Sequence, residues 1–454
     1  MHPALYNYDV FPKAFLGDRE TTVTVQPLGG HAAFQADHVY TVHVRKVANS
    51  SPHLYPEYSG RSTLTATPDA DGCLRFTAYF EGEGEHYLRI CDSPDARPLV
   101  QLSVYSLAED MAGRYPYRGD LHLHTTRSDG AQAPEVVCAN YRGHGYDFTV
   151  ISDHERYYPS LEAQAYWKDL TDLNIVQGEE IHLPYNDVHY VNFGGTFSVN
   201  ALVSPRPNTE KAGDDLAWRS LDGKAPDPMT HEQFSAMIKE RAAKITDLDK
   251  ESERMSFAVL EWTYEQVQAA GGLGIFPHPY WLFDMMQLPE DYTYYIYKKA
   301  PFDAFEVLGG ENPFSHNGFQ TALYYEMKQQ GIDPPVVGST DSHSSIAEHN
   351  RNALICSTIV FAPENTDRAL INSIKQKYSV AVDTISKEYR LVGDYRLVKY
   401  ACFLMENYYP LHDRACLTEG YFMNRYVAGD KQAIDVLAAM KGQIPAMIKK
   451  YFSV

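Results

Sequence analysis

Between residues 117 and 345, one strand-like segment after another ends in imidazole or carboxylate where an apolar residue would normally close a core. The segments are DLHLH, DFTVISDH, NIVQGEEI, DVHYVNFGG, LGIFPHP, FDAFEVLGG and PPVVGSTDSH. Helix-forming stretches lie between them; APEVVCANYRGHG offers Pro134 as a helix start and glycines as a stop. Strand–helix units repeated in this way predict a mainly parallel sheet, open or closed as a barrel. Such folds build their sites at the carboxyl ends of strands, and the polar residues fall there. His122 and His124 are two apart, hence on one face of a strand. Asp153 and His154, Glu179 and Glu180, His278, Glu306, Asp341 and His343 follow. His189, at a strand start, is the least regular member.

An isolated HxH is weak evidence, since most such pairs are structural or surface residues. The whole set is harder to explain without a cation. Imidazole and carboxylate are costly to bury unpaired, and together they suit Zn, Mn or Fe. The donors are too many for one tetrahedral ion, so two or three divalent metal ions sharing a site are expected.

The flanks read differently. In residues 1–115, TTVTVQPL, HVYTVHVRKV, STLTATP, CLRFTAYF, HYLRICD and LVQLSVYSL alternate polar and apolar residues between turn-rich pieces, the pattern of an N-terminal β-sandwich. Residues 116–384 form the α/β unit. Within it, about 195–265 is longer and more polar than a normal crossover, which predicts an inserted lid or helical excursion that includes MTHEQFSAMIKERAAKI. Residues 385–454 read as a C-terminal helical extension packed on the barrel. A net charge of −19 opposes a nucleic-acid or anionic-membrane footprint. The N-terminus has no signal-peptide pattern and no apolar run is long enough to span a membrane. Six cysteines without a CxxC pair fit reduced thiols and a cytoplasmic location, with a Cys73–Cys91 bridge as the alternative.

DLHLHTTRSDG, ISDHE, GEEI, HYVNFGG, FPHP and GSTDSH, in this order, resemble the successive motifs of the PHP (polymerase and histidinol phosphatase) superfamily. The resemblance covers about residues 117–345. The β-domain and helical tail are more loosely similar to its carbaryl-hydrolase-like (CehA/McbA) branch. It implies a distorted (β/α)7 barrel with a trinuclear metal centre. His122, His124, Glu180 and Asp341 would surround one metal. Glu180, favoured over Glu179 by the family's Gly-x-Glu spacing, would bridge to a second held by His189 and His278. Asp129, His154 and His343 would hold the third; Asp129 departs from members that carry histidine there.

The implied chemistry is a metal-dependent hydrolase, in the leading reading a phosphoesterase that cleaves a small-molecule phosphomonoester or phosphodiester by a metal-bridging hydroxide. The alternative is a carbamate, ester or amide hydrolase using the same centre. A non-catalytic metal-binding or sugar-binding protein is the rival from another class. Asp341 or His343 would move a proton to the leaving group, and Asp153 and Glu306 would orient histidines from behind. Arg127 and Arg351 are candidate anion contacts, with solvated surface arginines as the equal alternative. Tyr280, Trp281 and Phe283 follow His278 and either wall the pocket or pack the core. The β-domain has no comparable donor cluster, so it is expected to support assembly or shape the rim. The partner is a small molecule, with a homo-oligomer left open.

Overall fold

The structure is a computed structural model that describes residues 3–48, 61–203, 220–221, 224–282, 285–309, 315–346, 356–383 and 390–454. The chain divides into two compact units: Met1–Tyr115 with Tyr395–Ala415 and Gly442–Val454, and Pro116–Asp394 with Cys416–Lys441.

The first unit holds β1 (Tyr8–Phe11), β2 (Ala14–Leu16), β3 (Arg19–Pro27), β4 (Tyr40–Lys46), β5 (Arg61–Ala66), β6 (Leu74–Phe80), β7 (Gly84–Cys91) and β8 (Val100–Leu107). One sheet has the order β1-β3-β6; the other runs β2-β8-β7-β4-β5, with Phe452–Ser453 added parallel to β2. Buried and exposed residues alternate strictly along β6, which gives the strand one apolar face. Val23, Val42, Phe76 and Leu88, drawn from both sheets, share one core. Cys73 and Cys91 are free thiols, like the other four cysteines, so the alternative bridge is not formed.

The second unit is mixed α/β around a nearly closed sheet. Its strands are β9 (Tyr115–Asp120), β10 (Phe148–Ile151), β11 (Asn174–Ile181), β12 (Tyr190–Phe193), β13 (Leu273–Phe276), β14 (Ala304–Leu308), β15 (Val336–Gly338), β16 (Cys356–Ala362), β17 (Ser379–Asp383) and β18 (Arg390–Gly393). They lie in the order β15-β14-β13-β12-β11-β10-β9-β16-β17-β18. β9, β10 and β11 pair in parallel, as do β13, β14 and β15, whereas β12 runs antiparallel to both its neighbours. Beyond the ends of β9 and β15 the sheet meets itself: His124 N donates to Ser342 O at 2.9 Å, and Asp341 N to His122 O at 2.9 Å.

Helices α1 (Pro134–Gly143) and α2 (Tyr158–Trp167) connect β9, β10 and β11; α3 (His231–Ala242) and α4 (Glu251–Ala269) precede β13. A capping box between Thr230 and Gln233 starts α3. Phe234, Phe257 and Trp262 from these two helices share a core with Phe276 and Phe305 of the sheet. Both helices begin within residues 195–265, of which 204–219 and 222–223 lie outside the described residues. α5 (Glu290–Lys299), α6 (Ser315–Gln329) and α7 (Asp367–Lys375) complete the crossovers.

The tail, read from sequence as one extension on the barrel, is shared. α8 (Tyr395–Asn407) places Tyr400 and Phe403 4.9 and 5.4 Å from the Tyr105 ring of the first unit. Met423 of α9 (Tyr409–Val427) and Leu437 of α10 (Ala433–Met440) enter the core around Val137 and Trp167 of the second. α11 (Gln443–Tyr451) returns to the first. Among the described residues, no helix is long and apolar enough to cross a membrane.

Candidate metal centre

The rim built by the strand ends gathers the polar residues. β9 stops at Asp120, earlier than DLHLH suggested, and His122 and His124 lie in the short stretch that bridges to Ser342. The buried Asp120 carboxylate fixes this stretch by accepting from His122 N at 3.2 Å and Thr340 N at 3.0 Å. His154 follows β10, Glu180 is next to last in β11, His278 follows β13, and Asp341 and His343 follow β15. The antiparallel course of β12 resolves the irregular His189. Tyr190 pairs with Ile181, so the start of β12 reaches the same rim as the end of β11.

These side chains converge on Glu180. The nearest ring nitrogens lie at 2.7 Å for His189, 2.8 Å for His154, 3.4 Å for both His122 and His124, 3.6 Å for His278 and 3.7 Å for His182. Asp341 Oδ1 lies 3.0 Å from His124 Nε2 and 3.2 Å from His122 Nε2. At one side, Asp129 Oδ2 is 3.3 Å from His343 Nε2 and 3.5 Å from His154 Nε2. Among the described residues, four groups have donor atoms close enough together to hold a metal ion: His124–Asp129–His154–His343, His122–Glu180–His278, His122–His124–Asp341 and His154–Glu180–His182.

The fit to cations shows in atoms that proteins rarely leave unmatched. Among the described residues, both Glu180 carboxylate oxygens, His124 Nδ1, His189 Nδ1 and His278 Nε2 are buried with no hydrogen bond. Burial opposes charge on Glu180, but His189, His122 and His154 outweigh it and hold the carboxyl well below the usual range. On Asp341, burial is likewise outweighed, by His122 and His124. Burial pushes His124 and His189 down to about 4, leaving the neutral imidazoles that ligation requires. For His154, burial is overcome by Glu180 and Asp129, which raise it to about 10. Backbone strain accompanies the cluster: His278 and Asp341 take positive φ, 23° and 48°. At Gly130 a Cβ would lie 2.7 Å from the His124 carbonyl, so only glycine lets the Asp129 turn close on the histidine segment.

The supporting residues differ in detail from expectation. Glu306 Oε2 lies 3.2 Å from His122 Nδ1 and orients that ring. Asp153 accepts from Thr125 N at 2.8 Å, Ser128 N at 3.1 Å and both hydroxyls, and so fixes the turn that carries Asp129. Arg127 is engaged by Glu162, with Nε 2.8 Å from Oε2 and a second contact through Nη2. Arg351 and Phe283 lie outside the described residues. Tyr280 is buried in the core, its ring against Phe319. Trp281 stands beside the cluster, 6.0 Å from the His189 ring and 6.4 Å from that of His278. His182 was missed by sequence reading, although its spacing two residues after Glu180 put it on the same strand face.

No protein-family model and no curated protein sequence matches the chain. Among solved structures it is similar to a two-domain Bacteroides vulgatus protein containing a predicted PHP-like metal-dependent phosphoesterase. The identity is 16% over 65% of this chain and 71% of that one, with a TM-score of 0.40. An amidohydrolase from Chromobacterium violaceum with bound sulfate is similar at 16% identity over 50% of this chain and 87% of that one, TM-score 0.30. These superpositions are loose, and the chemistry of the site rests on its own side chains.

Proposed function

We propose that the chain is a metal-dependent hydrolase of the PHP superfamily, close to its CehA/McbA branch, and that it cleaves a small-molecule phosphomonoester or phosphodiester. In this reading the nearly closed sheet is a distorted (β/α)7 barrel and the two-sheet unit a β-sandwich. One observation carries the proposal: a buried carboxylate without hydrogen bonds faces the ring nitrogens of six histidines at 2.7–3.7 Å. Two or three Zn, Mn or Fe ions would be held by His122, His124, Glu180 and Asp341, by Glu180, His189 and His278, and by Asp129, His154 and His343. Such cations supply positive charge that polarises a phosphoryl or carbonyl oxygen and acidifies water. Glu180 offsets that charge from the centre of the cluster. His343, one-fifth exposed, can return a proton to a leaving group. Asp341 Oδ1 is turned inward against His122 and His124, where it would share a cation with those rings rather than pass a proton to the leaving group. Asp153 keeps the Asp129 turn in place through Thr125 and Ser128.

Two observations favour a second reading, carbamate, ester or amide hydrolysis. The Arg127 fork is taken by Glu162, and Trp281 offers an aromatic face beside His189 and His278. The test is protein stripped by chelator, reloaded singly with Zn, Mn or Fe, and assayed on p-nitrophenyl phosphate, bis(p-nitrophenyl) phosphate and an aryl carbamate. Metal-dependent turnover of a phosphoester is expected. Turnover of the carbamate alone would establish the second reading, and no metal-dependent turnover would overturn both.

A further inference from the structure

We propose that His182 is a metal ligand, the distal member of a cation position bounded by Glu180 Oε2 and His154 Nδ1. This rests on the metal-dependent reading above, and adds a residue outside the nine that reading employs. His182 Nε2 lies 2.9 Å from His154 Nδ1 and 3.7 Å from Glu180 Oε2, while His154 Nδ1 is 2.8 Å from the same oxygen. That oxygen is buried without a hydrogen bond. The placement of His182 is fixed. Its backbone N–H donates to Asn200 Oδ1 at 3.1 Å, and Asn200 Nδ2 donates to Glu180 O at 3.2 Å and to Glu179 Oε2 at 3.0 Å. One asparagine therefore ties the carboxylate strand and the following histidine into a single unit. The His182 ring also lies 4.3 Å from that of His189 and 4.7 Å from that of His154, inside the histidine cluster.

The geometry has a consequence for His154. Its Nε2 faces Asp129 and its Nδ1 faces Glu180 and His182. A neutral imidazole has one lone pair for ligation, so the Asp129 position and the His182 position compete for it. His182 supplies the nitrogen that lets a cation stay on the Glu180 side when His154 serves Asp129.

The test uses the full chain and Co2+ alone as the probe, with binding followed by visible absorption and by elemental analysis after gel filtration. His182→Ala is expected to weaken one Co2+ equivalent by about tenfold or more and to change its absorption band, with unchanged circular dichroism. His182→Gln, which keeps most of the side-chain volume, should give the same loss and serves if the alanine variant does not fold. Stoichiometry, affinities and spectrum within about twofold of the parent, the ordinary scatter for a residue that only packs beside a site, would overturn the proposal and leave His182 as a hydrogen-bond partner that orients His154. A parent chain that takes up no Co2+ would overturn the metal-dependent reading itself.

Discussion

Glu179 takes hydrogen bonds from Ser198, Val199, Asn200 and Asn192, whereas Glu180, one residue on, receives none and faces histidines. Successive strand residues point to opposite faces, so one carboxylate braces the β12 side and the other occupies the site. Glu180→Gln keeps the shape and removes the charge shared by two cation positions. It should cost more in metal affinity than the roughly 10–100-fold typical of losing an outer partner, read as metal content after dialysis; an unchanged content would remove Glu180 from the site. In the first unit, Lys13 is fully buried 3.4 Å from Asp9. Burial, partly offset by Asp9, pushes its amine down from 10.5 to about 8. Above pH 10.5 neither state is charged. Between there and pH 8 the unfolded chain takes a proton that the folded one refuses, so this group's cost grows as pH falls and is complete below 8. Asp9 retains Lys450 at 2.6 Å and Tyr451 at 3.0 Å. Lys13→Met should therefore stabilise the unit by roughly 1–3 kcal/mol at pH 7, with the gain shrinking by pH 10.5 in urea titrations. Destabilisation at pH 7 that fades by pH 10.5 would show that Lys13 is held as a useful ion pair.

At the scale of elements, α9 shows how a helix from the tail is locked to the second unit. Arg142 of α1 is fully buried, with Nε 2.8 Å from Glu419 Oε2; Thr171 donates to Glu419 Oε1 at 2.6 Å. Next to this pair the helices touch backbone to backbone, since a Cβ on Gly420 would lie 2.3 Å from Gly143 N. Glu419→Ala would take from the buried guanidinium its nearest carboxylate and leave it Asp147 Oδ1 at 3.6 Å and the Tyr146 carbonyl at 2.9 Å. The cost should be about 3–5 kcal/mol, seen as a Tm lower by roughly 10 °C; a fall of under about 2 °C would mean that solvent reaches Arg142. None of this pairing was legible in sequence, where the tail showed only helical period. What sequence did show was local. β10 and β11 stand within DFTVIS and NIVQGEEI, and the donor residues sit at strand ends. β16, CSTIVFA, is buried along its whole length and gives no alternation to read. β1 and β2 are too short to carry a period. Tyr280 and Trp281 were indistinguishable as neighbours in HPYW, yet only the fold sends one ring into the core and leaves the other beside His189. His182 carries no signal of its own in sequence, because its partner His154 lies 28 residues away beyond another strand.

For the whole molecule, the order of segments decides what can be removed. The first unit is made of Met1–Tyr115, Tyr395–Ala415 and Gly442–Val454, so no single cut releases it intact. Deleting residues 1–112 would leave Tyr400, Phe403, Tyr451 and Phe452, all buried now, without the strands they pack on, which predicts aggregation rather than a clean barrel. The more informative cut is at the other end. Gly442–Val454 contributes the strand Phe452–Ser453 beside β2, the Tyr451 carbonyl that accepts from Lys13 N at 2.7 Å, and both Lys450 and Tyr451 as partners of Asp9. A chain ending at Lys441 loses two buried aromatic side chains, worth about 1.5–3 kcal/mol each. It also leaves the edge of β2 unpaired and Asp9 dependent on Lys13. The sum, somewhat above 5 kcal/mol, should lower the melting of this unit by roughly 10–20 °C and speed proteolysis within residues 1–115. Every candidate ligand lies between His122 and His343, inside the second unit. Metal content should therefore match the full chain, and a calorimetric scan should separate an early transition from a late, metal-dependent one. A single transition at the original temperature would show that the C-terminal segment does not hold the first unit together, and loss of metal with the early transition would show that the centre needs both units folded.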